Sequence, residues 1–213
     1  GFMIGGVAEN FGSGCRVGEG NYFITEGDEY DTAFFDKRSK FLHYLPDQLI
    51  INNIEFDHAD IYPSFADITR QFDYLLRTVS PQGQVIFPAA DTLLTDLVGG
   101  CPWLRAAPVM APSSGWTAQA VSADASEFTL QQDAVALGTV RWPLIGEYNM
   151  RNAVSACAAA SAVGVTPSQL LAGLASFSGV KKRLEKKACI RGITVYEDFA
   201  HHPTAVNGVV QAM

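Results

Sequence analysis

The chain has 213 residues and a formal net charge of −7, which argues against general nucleic-acid binding because that activity needs a basic face. Its hydrophobic content of 48% suits a globular protein with a sizeable core, and no apolar run approaches the ~18 residues of a membrane helix. We therefore expect neither a nucleic-acid partner nor a membrane partner. The four cysteines form no CxxC pair, so we expect reduced thiols in a cytoplasmic protein, with no zinc site and no disulfide framework.

The first half of the chain alternates strand-like and helix-like segments. The glycine-rich residues 1–20 predict a loop with one short turn or strand. Strand-like runs lie at residues 22–25, 49–52 and 84–87. Apolar residues at helical spacing over 64–79, with Ser64 as the cap, and a shorter run over 91–98 predict two helices. The order β-α-β-α favours an α/β fold with a mostly parallel sheet flanked by helices.

The second half of the chain begins with a different pattern. Short strands near 116–143 predict a small antiparallel β insert or subdomain. Small residues over 149–163 predict a helix that packs closely against a sheet, and a capping box at 166–169 opens the next helix. A final strand is expected at 193–196, and the tail from Thr204 predicts the start of another helix.

Polar residues follow the first two predicted strands at the point where each strand ends, and in open α/β sheets this edge binds ligands. Glu26 and His58 are the strongest metal-ligand candidates among them. A glutamate offers the hard oxygen that Mg²⁺ prefers, whereas a histidine ligand is less usual for Mg²⁺, so spacing alone does not name the metal. The alternative is that Asp57 and Asp60 cap a helix and that His58 forms a local hydrogen bond.

Three further features in the second half could contact a ligand. Asn149 and Asn152 share one face at a helix start, where their amides could bind a base or a ribose, or Asn149 could cap the helix. The basic run 181–187 is either a solvated surface or an anion clamp with Arg183 as the phosphate contact. Asp198, at the end of the last strand, is predicted to make a polar contact to a ligand.

Four segments, in this order, resemble the Mur ligase family, whose members form amide bonds with ATP in peptidoglycan assembly. The segments are residues 25–31 (TEGDEYD), 53–60 (NIEFDHAD), 146–153 (GEYNMRNA) and 198–204 (DFAHHPT). The resemblance implies that residues 1–192 form the family's central ATP-binding domain, with the antiparallel insert near 116–143, and that residues 193–213 begin the C-terminal domain.

The resemblance also implies ATP and Mg²⁺ as cofactors. By position it implies magnesium ligands with a catalytic role at Glu26 and His58, nucleotide contacts at Asn149 and Asn152, a catalytic phosphate-contacting arginine at Arg183 and a nucleotide-contacting hinge aspartate at Asp198. Tyr148 departs from the family pattern, in which a histidine is usual before the first asparagine.

Residues 1–6 (GFMIGG) and 34–41 (FFDKRSKF) resemble the recycling branch of the family. This branch joins UDP-N-acetylmuramate to the murein tripeptide L-alanyl-γ-D-glutamyl-meso-diaminopimelate. The alternatives are the branch that adds L-alanine, a non-catalytic UDP-sugar-binding module and a metal-dependent hydrolase. No G-x-x-x-x-G-K-[ST] phosphate loop occurs, and residue 1 is Gly1 and not Met, so we expect a fragment that is inactive alone.

Overall fold

The computed structural model describes residues 1–112 and 115–213, which contain both strands and helices. The strands of the first half are β1 (Phe2–Ala8), β2 (Ser13–Arg16), β3 (Ile24–Thr25), β4 (Asp31–Ala33), β5 (Asp36–Ser39), β6 (Gln48–Ile50) and β7 (Gln84–Pro88). Those of the second half are β8 (Arg105–Val109), β9 (Trp116–Ala120), β10 (Glu127–Gln132), β11 (Val135–Arg141), β12 (Glu185–Ile190) and β13 (Ile193–Glu197). The α-helices are α1 (Phe65–Leu76), α2 (Thr92–Gly99), α3 (Glu147–Ala162), α4 (Pro167–Ser176) and α5 (Pro203–Ala212), and a short 3₁₀ helix spans Lys40–His43.

The main sheet has six strands in the spatial order β11-β10-β9-β8-β7-β6. The pairs from β6 to β9 are parallel, and the pairs from β9 to β11 are antiparallel. Helices α1 and α2 connect the parallel strands β6, β7 and β8, as expected for β-α-β units. The predicted α/β class, with a mostly parallel sheet flanked by helices, is confirmed.

The antiparallel strands expected near 116–143 extend the main sheet. Strand β9 pairs with β8 at Val109 and Trp116, and β10 and β11 follow it outwards. Helix α3 packs against β6 to β9, and α4 packs against β11, so one helical layer covers parallel and antiparallel strands together. Small antiparallel pairs occur elsewhere, between β1 and β2, β4 and β5, and β12 and β13.

Strand β7 carries buried side chains on both of its faces. Val85 and Phe87 belong to the cluster that includes Leu76 of α1, whereas Ile86 belongs to the cluster that includes Val154 of α3. Because successive strand residues point to opposite faces, this alternation places helices above and below the sheet. A strand buried on both faces is typical of the parallel part of an α/β fold.

Helix α1 confirms the helix predicted over 64–79, with Ser64 at the N-cap. The Ser64 hydroxyl donates to the Asp67 carboxylate at 2.6 Å and makes no hydrogen bond to the helix backbone. The helix ends earlier than the apolar pattern because Thr78 N–H bonds to the Leu75 carbonyl at 2.9 Å in a turn. The apolar pattern locates the buried face correctly and overestimates the length.

Strands β8 and β12 were not expected from the sequence. Strand β8 reads RAAPV, and alanine and proline have low strand propensity. It forms because β7 and β9 pair with it on either side. Strand β12 lies where we expected only a basic run, and it pairs with β13. The expected domain boundary between residues 192 and 193 falls between these two strands, and the division itself stays a prediction.

Helices α3 and α4 confirm the two helices predicted after the antiparallel strands. Helix α3 begins two residues before the predicted range 149–163, with Gly146 at the N-cap at a φ of +95°, a conformation that favours glycine. Small residues of the helix itself, such as Ala158, are buried. The capping box of α4 is present, and Gln169 Oε1 accepts from the Thr166 N–H at 2.9 Å.

The N-terminal residues 1–20 form the hairpin β1–β2 in place of the expected loop. Asn10 attaches this hairpin to the end of α4. Its Nδ2 donates to the Ser176 carbonyl at 2.5 Å, and its Oδ1 accepts from the Ser178 N–H at 2.7 Å. These hydrogen bonds join residues that are 166 and 168 positions apart along the chain.

Candidate functional site

Glu26 follows directly after β3 and lines an open cavity of about 330 Å³. Its Oε2 accepts a hydrogen bond from the Gly5 N–H at 2.5 Å, and the residue is exposed. This bond orients the carboxylate, and a carboxylate retains further lone pairs on both oxygens for another ligand. Glu26 therefore lies at a strand end, as the sequence predicts. The expectation that both strand ends form one edge of one sheet is wrong, because β3 pairs with β1 in a separate small sheet and β6 belongs to the main sheet.

Asp28 lines the same cavity and is neutralised by a lysine. Its Oδ2 lies 2.6 Å from Lys40 Nζ, and its Oδ1 accepts from the Tyr30 N–H at 2.9 Å. Burial raises the pKa of the Asp28 carboxyl, but the Lys40 and Tyr30 hydrogen bonds outweigh this effect and hold its pKa below the usual value. Asp28 is therefore ionised and already paired.

His58 lies in a turn after β6, with its backbone in the left-handed region at a φ of +57°. Its Nε2 is 2.6 Å from Glu29 Oε1, its ring centroid is 4.1 Å from that of Tyr30, and its N–H donates to Asp57 at 2.7 Å. No helix begins at this turn, so the alternative in which Asp57 and Asp60 cap a helix is wrong. The imidazole contact is with a residue 29 positions away, so it is not local.

The donor chemistry at these strand ends suits magnesium. A carboxylate oxygen of Glu26, with His58 as a less usual nitrogen ligand, leaves the remaining positions to water and substrate oxygens, and Mg²⁺ usually keeps several such oxygen ligands. Within residues 1–112 and 115–213, no three His, Cys, Asp or Glu side chains are grouped so that they could hold a metal ion. Binding of one ion by Glu26 and His58 together stays a prediction.

Tyr148 marks a second cluster, formed where α3 begins. Burial raises the pKa of the Tyr148 hydroxyl, and the Asp198 carboxylate raises it further, whereas Asn149 and the Arg183 guanidinium lower it. Because such electrostatic effects fall off with distance, the four side chains share one region of the molecule. The structure thus brings together three of the residues expected on the nucleotide side.

Asp198 is fixed at the end of β13 by two backbone hydrogen bonds. One carboxylate oxygen accepts from the Leu184 N–H and the other from the Ala200 N–H, each at 2.7 Å. Arg183 lies over the Phe199 ring, with its guanidinium carbon 5.7 Å from the ring centroid. The carboxylate is thereby oriented by the backbone, and the guanidinium is held beside it by an aromatic surface.

The two asparagines differ in their surroundings. Asn149 is half-buried, and its Nδ2 donates to the Ile145 carbonyl at 2.8 Å. Gly146 occupies the N-cap, so the alternative in which Asn149 caps the helix is wrong. Asn152 is exposed on α3.

The basic run 181–187 is divided by Glu185. Lys187 Nζ lies 2.8 Å from Glu185 Oε1 and 3.1 Å from Glu197 Oε2, on the β12–β13 hairpin. Arg183 is the residue of this run that reaches the Tyr148 cluster. Lys187 therefore pairs within the β12–β13 hairpin, whereas Arg183 lies near Tyr148. The structure does not show an anion clamp built from all the cations of the run.

Three residues that sequence reasoning missed connect the site to its surroundings. Tyr62 and Ser39 form a buried hydrogen bond of 2.6 Å between the His58 turn and strand β5. His202 Nδ1 lies 2.9 Å from Glu55 Oε2 and so links the segment after β13 to the segment after β6. A single Tyr, Ser or His has no local sequence pattern that would predict such a contact.

None of the helices in the described ranges is both long enough and apolar enough to cross a membrane.

Residues 14–160 match the family model of the Mur ligase middle domain, and the chain belongs to the Mur ligase family. The resemblance inferred from the four sequence segments is thereby confirmed. Among its relatives, the UDP-N-acetylmuramate–L-alanyl-γ-D-glutamyl-meso-2,6-diaminoheptandioate ligase of Escherichia coli (strain K12) is 45% identical over 100% of this chain and 46% of the relative. The UDP-N-acetylmuramate–L-alanine ligase of Salinibacter ruber is 31% identical over 99% of this chain and 43% of the relative.

A solved structure shows the same similarity in three dimensions. The crystal structure of UDP-N-acetylmuramate:L-alanyl-γ-D-glutamyl-meso-diaminopimelate ligase from Neisseria meningitides matches with a TM-score of 0.77 and 39% identity. The match covers 85% of this chain and 58% of that chain. The chain spans about half the length of the curated relatives that it matches.

Proposed function

We propose that this chain is part of an ATP-dependent ligase that joins UDP-N-acetylmuramate to the tripeptide L-alanyl-γ-D-glutamyl-meso-diaminopimelate in peptidoglycan recycling. The observation that carries the proposal is the 45% identity over the whole chain to a ligase named for these substrates, against 31% to an L-alanine ligase. The FFDKRSKF segment, which forms the exposed turn after β4, strand β5 and the start of the 3₁₀ helix, supports the same branch. A cytoplasmic location belongs to the proposal, because both substrates are soluble precursors.

The proposed reaction has two steps. The lactyl carboxylate of UDP-N-acetylmuramate attacks the γ-phosphorus of ATP, which gives an acyl phosphate and ADP. The α-amine of the tripeptide then attacks the acyl carbon, loses a proton and expels inorganic phosphate through a tetrahedral intermediate. The main physical obstacle is the approach of a carboxylate to a triphosphate, since both are anions.

In this proposal the site residues have two roles, magnesium binding and nucleotide binding. Glu26 and His58 hold magnesium, which when bound screens the negative charge of the phosphates. Arg183 contacts a phosphate, and the backbone-fixed carboxylate of Asp198 together with Asn149 orients the nucleotide. The clustering of these last three side chains around Tyr148 supports a common ligand for them.

The aromatic ring of Tyr148 is suited to packing against another planar ring. It is half-buried at the start of α3, where the family usually has a histidine. A tyrosine retains an aromatic surface and a hydroxyl donor, so an adenine contact through the ring remains chemically available. Asn152 is exposed on the same helix face and belongs to the proposed nucleotide side on position alone.

The proposal is tested by single-turnover ligation with the full-length protein, UDP-N-acetylmuramate, Mg-ATP and either the tripeptide or L-alanine. We expect product with the tripeptide and none with L-alanine. Product with L-alanine alone would assign the chain to the biosynthetic branch. Absence of product with both acceptors, while UDP-N-acetylmuramate still binds, would favour a non-catalytic UDP-sugar-binding module.

A further inference from the structure

Tyr62 contacts the main chain of both residues in the His58–Glu29 pair. Its N–H donates to the His58 carbonyl at 2.9 Å, and its hydroxyl donates to the Glu29 carbonyl. The residue is buried, with 6% of its surface exposed, so water does not compete for these hydrogen bonds. The Tyr62 hydroxyl therefore joins the His58 turn to the segment after β3.

The direction of the hydrogen bonds at the Tyr62 hydroxyl follows from counting protons. A carbonyl oxygen only accepts, so Tyr62 gives its one hydroxyl proton to Glu29. Ser39 Oγ, 2.6 Å from the Tyr62 hydroxyl, must then be the donor in that contact. Gln71 Oε1 also lies near Ser39 Oγ, but at 3.3 Å it is the weaker competitor for the serine proton.

Ser39 strengthens this arrangement because it is fully buried. Its hydroxyl donates to the Tyr62 oxygen, which leaves the tyrosine proton for the Glu29 carbonyl. A buried hydroxyl that lost its partner would carry a desolvation cost, which favours the complete chain of bonds. The chain runs from Ser39 through Tyr62 to the Glu29 carbonyl.

The Glu29 carboxylate in turn contacts the His58 imidazole and orients it. Its Oε1 lies 2.6 Å from Nε2, and because an ionised carboxylate only accepts, Nε2 carries the proton. In the neutral ring the lone pair is then on Nδ1. No hydrogen bond reaches Nδ1 from any residue that the structure describes, and the Tyr30 ring, 4.1 Å away between centroids, packs against the imidazole.

We propose that Tyr62 is a positioning residue that holds Glu29 against His58 and thereby presents Nδ1 of His58 as the metal-binding nitrogen. The inference rests on the proposed function, since it concerns the metal site of that ligase. It assigns a task to Glu29 and Tyr62, which do not themselves bind the ion. Partners of this kind fix the tautomer and the orientation of a histidine ligand.

The test compares the full-length protein with its Tyr62→Phe variant by ¹⁵N NMR of the histidine side chains at mildly alkaline pH. The His58 signals are identified by their loss in His58→Gln. We expect the parent to show the Nε2–H tautomer and the variant to show a mixture of both tautomers. Tyr74→Phe, which alters an exposed tyrosine on α1, is the matched control and should leave the spectrum unchanged.

A second measurement uses Mg²⁺ itself as the probe. Losing a partner that orients a metal ligand typically costs 10–100-fold in metal affinity, so Tyr62→Phe should raise the Mg²⁺ concentration for half-maximal ligation by about 10–100-fold. At saturating Mg²⁺ the kcat should return towards the parent value. If Tyr62→Phe fails to fold, Glu29→Ala replaces it, because Glu29 is partly exposed and its loss frees Nε2 directly.

Two results would overturn the inference. One is the Nδ1–H tautomer in the parent, and the other is a Tyr62→Phe spectrum and Mg²⁺ dependence identical to those of the parent. The tautomer is read without turnover, so the two proposals fail separately. A protein that shows the expected tautomers but makes no product with either acceptor would refute only the proposed function.

Discussion

At the scale of single residues, the site depends on carboxylates whose orientation is fixed by backbone N–H groups. Gly5 donates to Glu26, and Leu184 and Ala200 donate to Asp198. Such bonds hold a charge in place before a ligand arrives, which is the condition for electrostatic catalysis. Both carboxylates follow directly after a strand, so their positions are set by the sheets.

Replacement of Glu26 or His58 by alanine should lower the kcat of the full-length protein by at least ~100-fold, the scale for losing a preorganised electrostatic group. The measurement is single-turnover ligation at saturating substrate and Mg²⁺. Glu19→Ala is the matched control, since Glu19 is exposed and has no hydrogen bond or ion pair with any described residue. A Glu26→Ala or His58→Ala variant that works at full rate would remove that residue from the metal site.

Asp198→Ala should lower the free energy of unfolding by about 1–3 kcal/mol, because the Leu184 and Ala200 N–H groups lose their acceptors. Urea denaturation of the full-length protein measures the change. Asp198→Asn keeps one carbonyl acceptor and should fall between the parent and the alanine variant. Equal stability of the parent and Asp198→Ala would mean that water replaces both hydrogen bonds.

At the scale of secondary-structure elements, the turn between β9 and β10 is built around one carboxylate. Asp124 Oδ1 accepts from the Ser122 hydroxyl at 2.7 Å, from the Ser126 hydroxyl at 2.7 Å and from the Ser126 N–H at 3.0 Å. These three bonds lower the pKa of Asp124 from 3.8 to about 2. The stabilisation is complete above the ordinary pKa and is lost as the pH falls through the folded-state value.

Asp124→Asn should therefore destabilise the protein most at neutral pH. The difference in the free energy of unfolding between parent and variant should shrink as the pH falls from about 4 towards about 2. Urea denaturation across this pH range is the measurement. Asp96→Asn, in a helix where the carboxylate bonds to no described residue, should show no comparable trend. If the difference in the free energy of unfolding between parent and Asp124→Asn stayed constant with pH, the prediction that the Asp124 hydrogen bonds stabilise the turn would be wrong.

The sequence correctly predicts secondary-structure elements where the local sequence pattern agrees with the tertiary packing. Helices α1 and α4 were predicted from apolar spacing and capping residues, and Glu26 and Asp198 follow strands as predicted, while their roles stay predictions. Strand β8 was missed because its pairing with β7 and β9 outweighs the low propensity of its alanines and its proline. Tyr62 was missed because its role depends on Glu29, a contact 33 positions away that has no local pattern.

At the scale of the whole molecule, the chain covers part of the length of its curated relatives. It spans 46% of the length of its Escherichia coli relative, and no G-x-x-x-x-G-K-[ST] phosphate loop occurs in its sequence. The arrangement around Tyr148 offers one arginine near the proposed nucleotide. Cradling a triphosphate takes more donors than this cluster supplies.

The purified 213-residue chain should therefore neither hydrolyse ATP nor form product, because the phosphates lack their backbone cradle. Phosphate release and product formation are measured with Mg-ATP, UDP-N-acetylmuramate and the tripeptide. The full-length protein under identical conditions is the positive control. Turnover by the chain alone would show that the residues present are sufficient for chemistry.

The attachment of Asn10 to residues 176 and 178 also sets an order of events during synthesis on the ribosome. The hairpin β1–β2 is made before its partner, which follows 168 residues later. At about 5–20 residues per second, this interval lasts roughly 8 to 34 s. Throughout that time the hairpin lacks its hydrogen bonds to residues 176 and 178, so a nascent-chain chaperone that shields the hairpin would protect this step of folding.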